Sequence, residues 1–150
     1  MLTPLNFAGW EGTAWCVPSA FAAVTGVTVA RAHEIAAFAT SRAIGGIEGM
    51  DDVEQLSLAS RFGVALRDID CPSISPEPLR LRDFVRAMPA ALQVQPLLLT
   101  VARKRDRSTH MVATQYRMVC DNHSKRPIPA PGHDYAAAYV VKGWLASPAP

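Results

Sequence analysis

Small and apolar residues fill nearly every position of PSAFAAVT, residues 18–25. A run of that kind suits a short helix packed closely on all sides. Pro18 fits its first turn, where a missing N–H costs nothing, and Gly26 fits its stop. Cys16 then falls about two residues before the helix proper. In TVARAHEIAAFATSRA (28–43), Val29, Ala32, Ile35, Ala36 and Ala39 form one stripe at helical spacing, with Thr28 as cap. MDDVEQLSLASRFG (50–63) opens on acids that favour the positive end of a helix and closes on Gly63.

The pattern then shortens its period. VALRDID (64–70) alternates as a half-buried strand does, and CPSISPEP is a proline-rich loop too short to divide domains. LRLRDFVRAM (79–88) reads as a helix stopped by Pro89. PLLLTVAR (96–103), THMVATQ (109–115) and MVCDN (118–122) read as strands, KRPIPAPGHD as a loop, and YAAAYVVKGWLA (135–146) as a last strand. The closing residues, 146–150, are expected to fray. Helices gather first and strands after them, without internal repeats, which predicts an α+β fold with N-terminal helices packed on a C-terminal antiparallel sheet. A length of 150 residues suits one domain over 1–150.

Composition narrows the class. Hydrophobic residues at 49% and charged residues at 19% belong to a globular chain rather than a disordered one. A net charge of +2 announces neither a nucleic acid nor a membrane partner. No apolar run approaches the roughly 20 residues that cross a bilayer, and MLTPLNFAGW lacks the layout of a secretory signal. Cys16, Cys71 and Cys120 are odd in number and scattered, which argues against a disulfide framework or a zinc finger and suits a reducing, cytoplasmic setting. No metal and no cofactor is expected.

Cys16 sits where a thiol becomes reactive. Only the thiolate attacks carbonyls well, and a helix N-terminus together with a nearby imidazole lowers the thiol's pKa. The main-chain N–H at that place is also a ready oxyanion donor. The imidazole is sought in THMVATQYRMVCDNH. With Tyr116-Arg117 as a two-residue hairpin tip, Gln115 pairs with Met118, Thr114 with Val119, and Ala113 with Cys120. Faces alternate along each strand, so His110 and Asp121 share one, Asp121 lies diagonal to His110, and Asn122 points the other way. A loop of odd length would reverse that, and Tyr-Arg lacks the Gly or Asn that a primed turn prefers.

GTAWCVPSAFAAVTG followed by HMVATQYRMVCDN resembles the papain-like cysteine peptidase superfamily, and within it the bacteriocin-processing peptidases and small phage-encoded proteins. The resemblance spans residues 9–122 and rests on those two blocks. It implies a thioester acyl-enzyme formed on Cys16, with His110 as base and Asp121 as orienter, Asn122 being the substitute. Members usually carry a glutamine six residues before the cysteine to complete the oxyanion hole, whereas Trp10 stands there in this chain. The expected donors are then the Cys16 N–H and Asn6, with Thr13 as fallback. Trp10, Trp15 and His123 are candidate walls of a substrate groove. The activity implied is cleavage of a peptide or isopeptide bond in a peptide or protein substrate, or an acyl transfer using the same residues. The rival is a catalytically weak or inactive protein-binding effector of phage or mobile-element origin on the same scaffold.

Other residues are read blandly. His33 is expected to be a solvated or packed helix residue, His133 an exposed loop residue, and Cys71 structural. RKRDR (103–107) is a basic hairpin tip without interleaved aromatics, so nucleic-acid binding is not expected. A zinc site from His110, Cys120, Asp121 and His123 is disfavoured, because Cys120 faces away from the other three.

Overall fold

The computed structural model describes residues 1–69, 77–106 and 108–150. Cys71 and most of the proline-rich loop lie outside the described residues, as does Arg107 in the basic tip. Helix α1, Cys16–Thr25, is buried from Val17 to Ala23, as its apolar composition demands. It begins at Cys16 rather than two residues later. Pro18 is thus the third helical residue, still within the turn whose N–H groups find no helical partner. Helix α2, Val29–Thr40, is capped by the Thr28 side chain, and α3, Asp52–Arg61, by a reciprocal Asp51–Glu54 box. Two shorter helices follow, α4 (Leu81–Ala87) and α5 (Ala90–Gln93); the second was not legible in the pattern.

Six strands make one antiparallel sheet: β1 (Val64–Asp68), β2 (Leu97–Ala102), β3 (Thr109–Gln115), β4 (Met118–Cys120), β5 (Ile128–Pro129) and β6 (Tyr139–Pro148). Their spatial order is β1-β6-β2-β3-β4-β5, and the fold is α+β. β6 starts later than expected and runs further. The closing residues do not fray, since Ser147 and Pro148 pair with Ala65 and Val64, and Ala149 N–H bonds Gly63 O at 2.9 Å. A proline that lacks an N–H is tolerated at such a strand end. Beside Val141 the register of β6 against β2 shifts by one, a bulge that adds local twist.

The sheet carries apolar side chains on both faces. Leu98, Met111, Ala113, Cys120 and Trp144 join the core beneath α1, α2 and α3. Leu97, Leu99, Val101, Val112 and Val119 join a second core with Phe84 and Val85 of α4. The alternation along β2 and β3 is the period-2 consequence of the pleat, and the near-continuous apolar run PLLLTVA reflects burial on both sides. Among the described residues no helix is long and apolar enough to cross a membrane.

Candidate active site

Three elements converge at the N-terminus of α1. Its N-cap, Trp15, offers no side-chain cap, so the first N–H groups point at whatever lies beyond the helix. The hairpin β3–β4 has the register read from the sequence: Gln115↔Met118, Thr114↔Val119 and Ala113↔Cys120. Its tip is a primed turn made without glycine, with φ +53° at Tyr116 and +62° at Arg117. Left-handed geometry costs roughly 1–2 kcal/mol per ordinary residue. Bonds that tie the tip down offset this: Tyr116 N–H to Gln93 O at 2.7 Å, Arg117 Nε to Gln93 Oε1 at 3.2 Å, and Ala130 N–H to Arg117 O at 3.1 Å.

That register brings His110 and Asp121 together, Nε2 to Oδ2, at 2.6 Å. Asp121 is fully buried. Its Oδ1 accepts the N–H groups of Ser124 (2.7 Å) and His123 (3.0 Å). His133 Nε2 lies 3.2 Å from the same oxygen, close enough for charge attraction though without hydrogen-bond alignment. Burial alone would raise the Asp121 pKa, but these donors outweigh it and hold the carboxyl well below its usual range. The ordered loop 121–125 is an Asx-type turn, in which Ser124 Oγ also bonds Asp121 N–H and Lys125 N–H bonds Asp121 O.

His110 holds Asp121 on its Nε2 and also interacts with the Cys16 thiol. Burial works against a charged ring, yet the hydrogen bonds to Asp121 and Cys16 and their charges raise its pKa from 6.5 to about 9. Cys16 is affected reciprocally. Burial opposes its ionisation and is the largest influence, but the His110 bond and charge and the N–H groups of Met111 and Val17 together bring its pKa below 9.0. The Val17 donor belongs to the opening turn of α1. Cys120, by contrast, is pushed up to about 12 by burial and by the Asp121 charge, which outweigh a lowering bond from the Ser124 side chain.

The rings around His110 fix its plane. Tyr135 stacks on it, with centroids 4.0 Å apart and planes at 9°, and Arg103 Cζ lies 4.3 Å from the Tyr135 centroid. Arg103 in the basic tip therefore has an aromatic partner. In front of the thiol lies a cleft of about 290 Å³ whose lining includes Cys16, His110, Thr100, Thr109 and Lys142. Lys142 Nζ is 2.6 Å from Asp52 Oδ2 and 3.7 Å from Asp68 Oδ2.

The remaining expected residues divide. His123 is exposed and tilted against His110 at 5.4 Å between centroids. Asn122 is turned away from the imidazole and donates from Nδ2 to Ala14 O at 2.8 Å. Asn6 is exposed; its side-chain oxygen accepts from Ala8 N–H and its carbonyl from Val29 N–H, and neither bond joins it to Cys16. Thr13 is exposed. Trp15 sends its indole N–H to Ile44 O at 3.2 Å, and the Trp10 ring lies tilted against His33 at 4.3 Å between centroids, so both are held in packing contacts.

One histidine is packed, as expected, and one differs from expectation. His33 is fully buried and is the acceptor for Trp15 N–H at 2.9 Å. His133 is buried rather than exposed, because the 3₁₀ turn Ala130–Gly132 folds it against Asp121. Nothing in Pro131-Gly132-His133 announces that tertiary contact, nor the stacking of Tyr135. Among the described residues no group of three or more His, Cys, Asp or Glu is arranged to hold a metal ion. No family model matches the chain, and no curated protein matches it.

Proposed function

We propose that this chain is a papain-like thiol hydrolase that cleaves a peptide or isopeptide bond through an acyl-thioester on Cys16. The observation that carries the reading is His110 shared by two partners, a buried carboxylate on its Nε2 and the Cys16 thiol beside it in the same cleft. That is the geometry of a nucleophile, its base and the base's orienter. A depressed thiol pKa and a raised imidazole pKa both shift the balance towards a thiolate–imidazolium pair, the attacking state of such enzymes.

In the acylation step the Cys16 sulfur attacks the amide carbonyl carbon. The oxyanion that develops is met by the Cys16 N–H, which has no partner within its own helix. His110 gives its proton to the leaving amine, the C–N bond breaks, and the acyl group remains on sulfur. His110 then takes a proton from water, whose oxygen attacks the thioester, and the acid leaves with the thiol restored. Asp121 holds the Nε2–H tautomer throughout and stabilises the charged ring. Stacking on Tyr135 keeps the ring in the plane that serves both partners.

Alkylation tests the reading. With iodoacetamide near pH 6, peptide mapping should find Cys16 labelled well ahead of Cys71 and Cys120. Slow, equal labelling of all three would remove the enzyme reading and leave a protein-binding scaffold.

A further inference from the structure

We propose that His33 and Asn122 are positioning residues that together lock the peptide unit between Ala14 and Trp15, and through it the oxyanion donor at Cys16. The proposal rests on the reading of Cys16 as the nucleophile. Asn122 Nδ2 donates to Ala14 O at 2.8 Å, and Trp15 N–H donates to His33 Nε2 at 2.9 Å. The carbonyl of residue 14 and the N–H of residue 15 are opposite edges of one planar group. A plane held on both edges cannot turn about its flanking dihedrals. Trp15 O in turn accepts Ser19 N–H at 3.2 Å, so the next peptide, which carries the Cys16 N–H, is fixed as well.

The two clamps come from distant parts of the chain, 18 and 108 positions from the residues they hold. Asn122 is the neighbour of Asp121, so one short segment orients both the base and the nucleophile's backbone. His33 is fully buried in α2, and its Nδ1 lies 2.7 Å from Val29 O, which requires the proton there. Nε2 is therefore a bare acceptor, and the Trp10 ring at 4.3 Å keeps the imidazole in place.

The cluster also leaves stability unrealised. Asn122 Oδ1 and Trp10 Nε1 are buried without a hydrogen-bond partner among the described residues. Such atoms are uncommon and need a reason, and fixing a backbone at a reacting centre is one. A loop tied merely for stability would need neither of these unpaired groups.

Two probes of the same thiol separate positioning from folding. Iodoacetamide reads the thiolate alone, because its displacement reaction forms no oxyanion. With p-nitrophenyl acetate the sulfur attacks the acetyl carbon, the ester C–O bond breaks, p-nitrophenolate departs, and S-acetyl-Cys16 forms through an oxyanion. In His33→Leu and in Asn122→Asp, which keeps the shape but loses the donor, acetylation of Cys16 should fall on the order of a hundredfold. Alkylation by iodoacetamide should stay within about threefold, since the thiol's own donors are untouched. His33→Gln places an amide oxygen near the Nε2 position and should restore acetylation. Cys120 serves as the folding monitor, because it is labelled only when the core opens. If His33→Leu exposes Cys120, Asn122→Asp and His33→Gln decide. Wild-type acetylation in folded Asn122→Asp, or acetylation and alkylation falling together, would overturn the inference. Failure of Cys16 to label preferentially in the wild-type chain would instead remove the nucleophile reading beneath it.

Discussion

Replacing Asp121 with Asn changes one heavy atom in the site, and the hydrogen bonds already present dictate which way the new amide faces. Oδ1 receives the N–H groups of His123 and Ser124, so the amide oxygen must take that place. Its NH₂ group then occupies the Oδ2 position, against His110 Nε2. A donor there requires a bare Nε2, which moves the ring proton to Nδ1 and leaves the Cys16 thiol with no base. The charged ring also loses its counter-ion. A rise from 6.5 to about 9 in the imidazole corresponds to roughly 3 kcal/mol of net preference for the charged form, reached against burial, and the Asp121 bond and charge supply part of what opposes that burial. The thiolate population at neutral pH should therefore fall on the order of a hundredfold. Turnover should fall further, on the order of 10⁴-fold, because the wrong tautomer also disables proton transfer to the leaving group. The assay is the rate of Cys16 alkylation against pH. In wild type the limb should rise below 9.0; in Asp121→Asn it should shift towards or beyond 9.0. An alkylation profile unchanged within about twofold between pH 6 and 8 would refute the coupling of Asp121 to the thiol.

Four further outcomes are expected. Because the folded pKa of Asp121 is depressed, its stabilising contribution is present above the unfolded value of 3.8 and is lost as pH falls through the folded one; urea midpoints between pH 5 and 3 should drop more steeply in wild type than in Asp121→Asn. Cys16→Ala should abolish hydrolysis while lowering stability by no more than about 1 kcal/mol in urea unfolding, since the half-buried side chain faces a cleft; a loss of several kcal/mol would mark a packing residue. Replacing Tyr116-Arg117 by Asn-Gly should stabilise by about 1 kcal/mol, read as a higher urea midpoint, by relieving two positive φ angles at the loss of one side-chain bond. Gly143→Ala should destabilise by about 1–3 kcal/mol in thermal unfolding, because the new methyl would stand 3.0 Å from Leu99 Cδ2 and 3.3 Å from Ile69 Cδ1.

The legible part of the site was the part that local chemistry dictates. Small residues with Pro18 and Gly26 announced α1, and strand alternation with a two-residue tip carried the register that sets Asp121, not Asn122, against His110. The tip itself was the weak link in that reading, because Tyr-Arg is a poor primed turn alone. It stands through Gln93 and Ala130, whose contacts no short window of sequence contains. His133 was misjudged, and the partners of the packed His33 went unread, for a related reason. A histidine's surroundings are tertiary, and each here meets residues far away in the chain. Asn6 was sought as a substitute amide on the strength of the missing glutamine, but Ala8 and the start of α2 engage it. The length of β6 escaped because Pro148 reads as a terminator, whereas at a strand end its missing N–H costs no ladder bond.

The place of β6 in the sheet has a kinetic meaning. Last of the described strands in sequence, it lies between β1 and β2 and is the sheet partner of both. Trp144 reaches back 89 positions to hydrogen-bond Gln55, and Val141 and Lys142 close one side of the cleft before the thiol. Pairings that span so much chain meet a large loop-closure entropy before any contact repays it, so they form late. A ribosome-bound chain that has not yet released residues 139–148 would hold the β3–β4 hairpin, with its histidine and carboxylate in register, and Cys16 already in place upstream. It would lack a wall for the cleft and a partner for β1. Assembly of the surroundings of Cys16 is thereby tied to the pairing of β6, and a chain that has not yet paired it holds the thiol beside an unwalled cleft.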